Sequence, residues 1–527
     1  MYALGSSTLS LARSPALGIA VLFGLTVYRA VAGFFDPLPL QVDEAQYVGW
    51  AHFLEAGYYS KPPFIAWAIA GGQSVCSALE IVNLEGCVRL FQPLAFFVAA
   101  LGVMGSAYQI TKNTRCAIYA AVIFITMPLT GFYALFVTTD AWLLMFWSLA
   151  LWAFLVALEA QTYKRTSWIL CGVLVGLGLL SKYSMAAFLI AALFYLLLVK
   201  RLRELGPWLS TLAAFLVFLP NLLWNIENQF PTFHHHFEIA QITHDGSSGL
   251  SVLGRFLSTG SFVSSQLALF GPLLFVALLF SLRAVILERG QRHSTAAAQS
   301  KASDINILMH LMTWVILTLA LLQAFSSRSF ANWAAPAYVS GSLLVAQILS
   351  LNPHRGGLKW RKFTIVFSLV LGFSVSGLLI HVPKSIFWSA APDAYRIRAL
   401  EKLRGWNDVV AWAKQSLAAD SVILAEDRRL LAAIAAYGYP AIQTPYAWNP
   451  QGRRDSHYNW FLDVEKHSFK RGQRFVLLQL AKPELVNKVS AVPGFRIVQE
   501  IDTDSLAFVR LGADNERLLA YELIRDQ

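Results

Sequence analysis

Two adjacent carboxylates, two tyrosines and a lysine stand close together near the start of the chain, directly after the first membrane-length apolar run. They are Asp43, Glu44, Tyr58, Tyr59 and Lys61. Charged groups held near a bilayer are costly to desolvate, which makes them functional candidates by default. A carboxylate can accept the proton of an attacking hydroxyl, and a lysine can stabilise the charge of a departing phosphate. The stretch therefore predicts displacement of a phosphate leaving group by a hydroxyl.

Polar residues that suit the same chemistry recur at the ends of later apolar runs, at Asp140, Lys182, His235, Arg328 and Asn332. Departing phosphates are stabilised by lysine, arginine or a metal ion, so the later lysine and arginine could act with Lys61. Asp140 could act with Asp43 as a second carboxylate. His235 lies in a run of three histidines, which could hold a metal ion or a phosphate or could be ordinary surface residues.

The composition is that of a membrane protein. Of 527 residues, 56% are hydrophobic and 14% are charged, whereas about 25% are charged in a typical soluble domain. The net charge of +11 is compatible with nucleic-acid binding, but basic loops at the cytoplasmic face of a membrane explain it better. We therefore predict membrane lipids, and no nucleic acid, as partners.

Eleven apolar runs have roughly the length that crosses the hydrocarbon core of a bilayer. They lie near residues 14–34, 88–109, 116–133, 138–159, 167–181, 184–199, 207–224, 263–282, 305–324, 332–350 and 363–382. The first is predicted to be an uncleaved membrane helix rather than a signal peptide. Glycines interrupt the stretch 62–82, which is predicted as an interfacial or re-entrant helix within a first loop at 35–87.

Basic residues predict the orientation of these spans. With the N-terminus inside, the inside loops contain fifteen lysines and arginines and the outside loops contain four. This bias agrees with the positive-inside rule and places every candidate site residue outside. The sequence therefore predicts a bacterial inner-membrane protein with a cytoplasmic N-terminus and a periplasmic site and C-terminus.

Residues 384–527 have the composition of a small domain outside the membrane, and residues 1–383 form the predicted membrane domain. Alternating apolar runs predict strands near 421–425, 475–480, 496–499 and 507–511, and a helix near 428–437. The fold class is therefore a polytopic α-helical membrane protein with a C-terminal α/β domain. Arg453 and Arg454, with Tyr458, Asn459 and Trp460, would suit a phosphorylated glycan, although ordinary surface residues are the alternative.

Only four cysteines occur, and none has the spacing of a metal site. Residues after 384 contain no cysteine, so this part of the chain is not a disulfide scaffold. Cys76 and Cys87 fall in the first loop. They could pair there, or they could be packing residues in apolar segments.

Five segments resemble, in the same order, the motifs of one enzyme family: DEAQY at 43–47, GYYSKPP at 57–63, TDA at 139–141, GLGLLSKY at 176–183 and NWAAPAY at 332–338. This family is the bacterial branch of the dolichyl-phosphate-mannose protein mannosyltransferases (glycosyltransferase family 39, GT-C fold), which is related to the aminoarabinose transferase of lipid A. The resemblance implies an inverting transferase that takes a sugar from a polyprenyl-phosphate donor on the periplasmic side.

The site residues predicted from the chemistry and the resemblance fall into three groups. The catalytic candidates are Asp43, Asp140 and Glu44; the donor phosphate-binding candidates are Lys61, Lys182 and Arg328; the substrate-binding candidates are Tyr58, Tyr59, Asn332 and His235. Metal-binding relatives tend to have an acid just before the lysine, where this chain has Ser60. A divalent cation such as Mg²⁺ or Mn²⁺ is therefore possible but is not required by the sequence.

Structural explanations compete with several of these roles. Asp43 and Glu44 could serve as a helix cap and a first-turn acid, and Asp140 could cap a membrane helix. Lys182 could simply extend from a short turn towards water. The tyrosines could belong to the aromatic belt at the membrane interface.

The function predicted from these features is sugar transfer to a hydroxyl of a periplasm-facing glycolipid, either lipid A or a lipopolysaccharide core. Transfer to protein is the second alternative. The rival from another class is a transporter or flippase for a lipid-linked substrate. A transporter should place ionisable groups near the middle of the membrane, in broken helices of matching halves. This chain concentrates them at one face, which favours the enzyme.

Overall fold

The computed structural model describes residues 15–36, 38–160, 164–241, 251–290, 297–327, 329–351, 358–381, 402–470, 472–481, 494–506, 511 and 516–525. Most of the described residues before 382 are helical. The helices are α1 Pro15–Phe34, α2 Val42–Ala51, α3 Phe64–Ala78, α4 Leu84–Arg89, α5 Gln92–Thr111, α6 Thr114–Thr126, α7 Pro128–Tyr133, α8 Thr139–Glu159, α9 Lys164–Ser181, α10 Ala186–Leu198, α11 Leu205–Glu227, α12 Pro231–Gln241, α13 Val252–Phe270, α14 Pro272–Gly290, α15 Ala297–Ser326, α16 Ala337–Leu351 and α17 Leu358–His381.

Six helical segments within the described residues are long and apolar enough to cross a membrane, and the bent pair α13–α14 would make a seventh. Five shorter apolar helices accompany them, including α3, α6 and α16. The protein is therefore a multi-pass α-helical membrane protein, as the sequence predicts. The predicted interfacial stretch 62–82 forms α3, whose 15 residues fall short of the ~20 that span the hydrocarbon.

Prolines divide three of the predicted spans. The run 116–133 breaks at Met127, whose ψ of 147° is extended, because the residue before a proline is disfavoured in the helical region. The run 263–282 is broken at Gly271, where α13 and α14 meet at a bend of 107°. The helix within the run 332–350 begins only at Ala337, after Pro336, and residues Ala331–Ala334 form a 3₁₀ turn. Two of the predicted spans are therefore broken in the middle and the third begins a few residues later, and a local proline is the cause each time.

The C-terminal domain is a mixed five-stranded sheet with helices. Its elements are α18 Trp406–Ser416, β1 Val422–Ala425, α19 Arg428–Ala433, β2 Tyr446–Ala447, α20 His457–Phe461, β3 Phe475–Ala481, β4 Phe495–Ile501 and β5 Arg517–Arg525. The strand order is β2-β1-β3-β5-β4, in which β1 pairs in parallel with β2 and β3, and β5 pairs antiparallel with β3 and β4. The predicted strands at 421–425, 475–480 and 496–499 are β1, β3 and β4.

The remaining predictions for this domain have mixed outcomes. The predicted helix 428–437 is α19 continued by a π-helical turn over Ile434–Gly438. Residues 507–510 of the predicted strand 507–511 lie outside the described residues, as does the predicted domain boundary at 383/384. The sequence pattern misses β5 altogether. This strand lies between β3 and β4 in the sheet, so pairing on both sides determines its structure more than local propensity does.

The C-terminal domain packs directly on the first loop. One apolar cluster includes Tyr47 and Val48 of α2 together with Val410 of α18 and Leu431 of α19. At Gly49 the two backbones approach so closely that an added Cβ would lie 3.0 Å from the Cβ of Ala435. A second, larger cluster fills the membrane helices. The first loop is therefore held between two hydrophobic cores.

A disulfide closes the first loop, because Cys76 of α3 and Cys87 of α4 are bonded. Of the two alternatives that the sequence leaves open, pairing is the one found. The bond ties the end of α3 to the start of the long apolar segment formed by α4 and α5.

Candidate active site

The segment between α2 and α3 carries Tyr58, Tyr59 and Lys61, and α11 and α12 hold it in place. Asn221 of α11 donates a hydrogen bond to the carbonyl of Ala56 at 2.8 Å, and Thr232 of α12 donates to the carbonyl of Tyr58 at 2.8 Å. Gly57 passes against Trp224, where a Cβ would meet the indole ring at 2.3 Å. Only glycine fits at this approach, so the position of the lysine is fixed by packing from helices far along the chain.

Asp43 lies in the first turn of α2, and its side chain is 62% exposed. One of its oxygens accepts a hydrogen bond from the guanidinium of Arg428 at 2.5 Å. The same guanidinium donates to Oε1 of the buried Gln46 at 2.7 Å. An arginine of the C-terminal domain thus forms hydrogen bonds with two residues on one face of α2. The second Asp43 oxygen has no partner among the described residues and is available to a ligand.

Asp140 lies in the first turn of α8 and is buried. One carboxylate oxygen accepts from Nζ of Lys182 at 2.8 Å, and the other accepts from Nδ2 of Asn332 at 2.8 Å. Three predicted site residues from three distant motifs therefore meet in one hydrogen-bonded cluster. Because both carboxylate oxygens are occupied, Asp140 fixes the direction of the lysine.

Lys61 completes this group. Burial and, to a smaller extent, the charge of Lys182 lower the pKa of its ammonium to about 8, while Asp43 and Asp140 act in the opposite direction. The Lys61 ammonium is thus influenced by both carboxylates and by Lys182. Within the described part of the chain the Lys61 ammonium has no hydrogen-bond partner. A desolvated cation of this kind is suited to bind an anion.

Aromatic rings border the site on one side. The ring of Tyr59 lies 5.0 Å from that of His235 and 5.8 Å from that of Trp460, measured between centroids. The hydroxyl of Tyr59 donates to the carbonyl of Arg454 at 2.7 Å. Burial lowers the pKa of His235 to about 4, and the charges of Lys61 and Arg428 contribute to the shift. His235 is therefore neutral at physiological pH and lies beside the cationic group.

Glu44 is not brought into this site. Its carboxylate is 2% exposed, forms an ion pair with Arg89 of α4 at 2.9 Å and also accepts from the backbone amides of Gln41 and Val137. Arg89 in turn donates to the carbonyl of Leu38 at 3.0 Å. Every acceptor position of Glu44 is used in joining α2 to α4 and to the segment before α8, which is a structural arrangement rather than a catalytic one.

Tyr58, another predicted site residue, lies apart from the cluster. The Tyr58 hydroxyl donates to the carbonyls of Trp50 and Phe53 at 3.1 and 3.0 Å. Its ring stacks on Trp50 and lines a separate cavity of about 330 Å³ between α2, α11 and the C-terminal domain. Arg328 lies outside the described residues. Tyr58 therefore supports the loop, and the structure says nothing of Arg328.

Three residues of the site region escape the sequence-based prediction: Arg428, Gln46 and Arg89. Arg428 meets Asp43 across 385 positions of sequence, and no spacing rule reaches that far. The signal that could have suggested it is the charged run Glu426 to Arg429 in the tail. Arg89 could have been found as a lone charge at the edge of an apolar run.

A metal site is also part of the sequence-based expectation. Among the residues that the structure describes, no three histidine, cysteine, aspartate or glutamate side chains converge as metal ligands. The possible divalent cation stays a prediction.

The arrangement resembles known proteins. The sequence model of the dolichyl-phosphate-mannose-protein mannosyltransferase family matches residues 60–224, which include Lys61, Asp140 and Lys182. Over these residues the chain is similar to that family. The resemblance seen in the sequence motifs is thereby confirmed, and so is the assignment as an enzyme.

The chain is also similar to sugar transferases of two bacteria. It is 29% identical over 454 residues to the lipid A galacturonosyltransferase RgtD of Rhizobium johnstonii, covering 84% of this chain and 87% of that protein. It is 32% identical over 190 residues, 34% of each chain, to the undecaprenyl phosphate-alpha-4-amino-4-deoxy-L-arabinose arabinosyl transferase of Pseudomonas aeruginosa. Among solved structures it resembles ArnT from Cupriavidus metallidurans bound to undecaprenyl phosphate, with a TM-score of 0.60, 15% identity and coverage of 96% and 97%.

Proposed function

We propose that this glycosyltransferase moves a sugar from a polyprenyl-phosphate donor to a hydroxyl of a glycolipid, with inversion at the anomeric carbon. Relatives that cover most or a third of the chain bear the names of lipid A and undecaprenyl-phosphate sugar transferases, which supports this substrate class. The observation that carries the proposal is the meeting of Asp43, Lys61 and the Asp140–Lys182–Asn332 cluster at one end of the membrane helices. This set contains an open carboxylate and two cations.

In the proposed reaction the acceptor oxygen attacks the anomeric carbon from the side opposite the phosphate. Asp43 accepts the hydroxyl proton as the new bond forms, which is the role of a general base. The bond from the anomeric carbon to the phosphate oxygen breaks, and its electron pair leaves with the polyprenyl phosphate. Lys61 and Lys182 then face an anion whose charge has grown from one to two, and such preorganised cations stabilise this change in the transition state.

Asp140 and Asn332 act through Lys182 in this scheme. A lysine side chain has four rotatable bonds, so an unrestrained ammonium would lose conformational entropy on meeting the phosphate. The 2.8 Å ion pair with Asp140 removes that freedom before the donor arrives. Glu44 is assigned a structural role, because its ion pair with Arg89 leaves no free oxygen.

The proposed location is the bacterial inner membrane, with the N-terminus in the cytoplasm and the site and the C-terminal domain in the periplasm. Two observations support this orientation. The inside loops of the sequence hold most of the basic residues outside the C-terminal domain. The disulfide between Cys76 and Cys87 belongs to an oxidising compartment, which the bacterial cytoplasm is not. Outside the inner membrane no nucleotide sugar is available, so a lipid-linked donor is required.

The test is transfer of labelled sugar from synthetic polyprenyl-phosphate sugars to lipid A or core glycolipid by the purified full-length protein in lipid nanodiscs. We expect Asp43→Asn to lower kcat by about 10²- to 10⁴-fold, the usual contribution of a general base. Glu465→Gln is the matched control, because Glu465 is also an exposed carboxylate paired with an arginine, Arg525, at 3.4 Å. The control should retain wild-type activity.

Each alternative function has its own outcome in this assay. Labelled protein instead of labelled glycolipid would show that protein is the acceptor. Passage of the intact donor across the membrane without sugar transfer would favour a flippase. Full activity of Asp43→Asn would remove Asp43 from the role of base.

A further inference from the structure

A second cavity lies in the C-terminal domain beside Asp43. It has a volume of about 190 Å³, and its lining includes Arg428, Arg453, Asn449, Gln451 and Asn459. Most of the lining residues are polar or charged, although Trp448 and Pro450 also contribute, and the cavity next to Tyr58 is more aromatic. Amides and hydroxyls in such a space are suited to the hydroxyl groups of a sugar, and guanidinium groups are suited to an anion.

The cavity occupies a position in the sheet that commonly binds ligands. Glu426 follows β1, and Asn449 closely follows β2. These two strands are parallel neighbours, so their carboxyl ends open on the same crevice. In open α/β sheets, ligands bind in the crevice outside the carboxyl ends of the strands. The topology and the side chains thus select the same place independently.

Arg428 connects this cavity to the proposed active site. A guanidinium has five N–H donors. One is used by Gln46 and one by Asp43, and the other three have no hydrogen-bond partner among the described residues. The guanidinium therefore has donors left for a ligand in the cavity while it still holds the catalytic carboxylate.

The rest of the lining is ordered for binding. The side chain of Asn449 donates to the carbonyl of Arg453 at 2.9 Å and accepts from its amide at 2.9 Å, which fixes the turn between them. Asn449 also donates to Asp463 at 3.0 Å. The guanidinium of Arg453 has no partner among the residues that the structure describes. The carboxylates Glu426 and Asp455 also line the space and can accept hydrogen bonds from sugar hydroxyls.

We propose that this cavity binds an anionic sugar of one of the two substrates, with Arg428 and Arg453 on the anionic group, and thereby places that sugar against Asp43. The inference rests on the function proposed above and adds to it the chemical class of the bound headgroup. The anion can be a phosphate on the acceptor glycolipid or a carboxylate on the donor sugar, since both accept bidentate hydrogen bonds from arginine. Once bound, the anion partly neutralises the charge of Arg428. The Asp43 carboxylate is then stabilised less by that charge and becomes more basic.

The test is the Arg453→Gln variant of the full-length protein in nanodiscs, assayed with matched substrates. We expect KM for the anion-bearing substrate to rise about 10- to 100-fold with a smaller change in kcat, the cost of losing a hydrogen bond to a charged group. Removing the acceptor phosphate, or replacing a carboxylated donor sugar by a neutral one, identifies the source. If removing one of these anions raises the KM of the wild-type protein to that of the variant and leaves the KM of the variant unchanged, that anion is the one bound in the cavity.

Arg496→Gln is the control, because Arg496 is an exposed arginine on β4, at the opposite edge of the sheet from β2. Unfolding temperatures of both variants confirm that they fold. An unchanged KM in Arg453→Gln, or an equal loss with anionic and neutral substrates, would overturn the inference. These results are distinct from failure of the proposed function, in which the wild-type protein transfers no sugar from any polyprenyl-phosphate donor.

Discussion

Asp43 and Glu44 are neighbours in the chain, and each is paired with an arginine, yet their surroundings differ in every other respect. The Glu44 side chain is 2% exposed and meets Arg89 and two backbone amides. The Asp43 side chain is 62% exposed and, among the residues that the structure describes, is paired with Arg428 alone. Successive residues of a helix point about 100° apart, so one carboxylate faces the interior and the other faces the open site.

The comparison separates charges that maintain the structure from charges that act on a ligand. A saturated buried pair has no capacity for a substrate, and breaking it leaves an unpaired charge in a low dielectric. An exposed pair contributes little to stability and exchanges partners easily. Lys61 belongs with the charges that are available to a ligand, because its ammonium is desolvated but has no bonded acceptor among the described residues.

The largest effect that would test this contrast is on stability. We expect Arg89→Ala to lower the free energy of unfolding by about 3–5 kcal/mol, because Glu44 would remain charged and buried without its partner. Arg428→Ala should lower it by about 1 kcal/mol or less, as is usual for an exposed pair. Denaturant unfolding in micelles measures both. Equal losses in the two variants would break the comparison.

The sequence predicts much of this site because the relevant residues stand in local motifs at the ends of apolar runs. Asp140, Lys182 and Asn332 come from three motifs, and their convergence follows from placing those ends at one membrane face. The sequence does not distinguish Asp43 from Glu44, since the buried face of a short helix depends on what packs against it. Arg428 was beyond prediction because its contact with Asp43 is made only by docking of a separate domain.

The fold follows the same division. Membrane helices are predictable because lipid forces the backbone to satisfy its hydrogen bonds within each apolar segment. The helix breaks at Met127 and Gly271 could be predicted from the prolines that follow, Pro128 and Pro272. Hydropathy alone does not detect them. The long strand β5 depends on its partners β3 and β4, which supply its hydrogen bonds from elsewhere in the chain.

A smaller effect concerns pH. Burial lowers the pKa of Lys61 to about 8, and in the proposed reaction only the protonated ammonium stabilises the departing phosphate. We therefore expect kcat/KM for the donor to show no pH dependence from Lys61 below pH 7, where the ammonium is protonated. Above pH 8 the ratio should fall about tenfold per pH unit, because kcat/KM reports groups of the free enzyme. In Lys61→Arg the guanidinium stays charged. The variant should be slower but should lose the alkaline decline, and an identical decline would exclude Lys61 as its cause.

The last expected effect is an increase in the free energy of unfolding, whereas Arg89→Ala lowers it. Lys61→Met should raise the free energy of unfolding at pH 7 by about 1–2 kcal/mol, because it removes a desolvated charge that forms no bond. The folded-state pKa lies below the usual 10.5, so the wild-type protein gains stability as pH rises from 8 to 10 while the variant does not. The difference between them should narrow over that interval. Activity of the variant should be lost despite its stability.

The packing of α2 against the C-terminal domain has a consequence for synthesis of the protein. The helix that carries Asp43 is synthesised nearly four hundred residues before its partners Leu431 and Tyr437, and the Tyr437 hydroxyl accepts the amide hydrogen of Leu40 across 397 positions. Contacts so distant in sequence form late in folding. The Asp43 side chain therefore gains its partner Arg428 only after the C-terminal domain has been synthesised and has docked on α2.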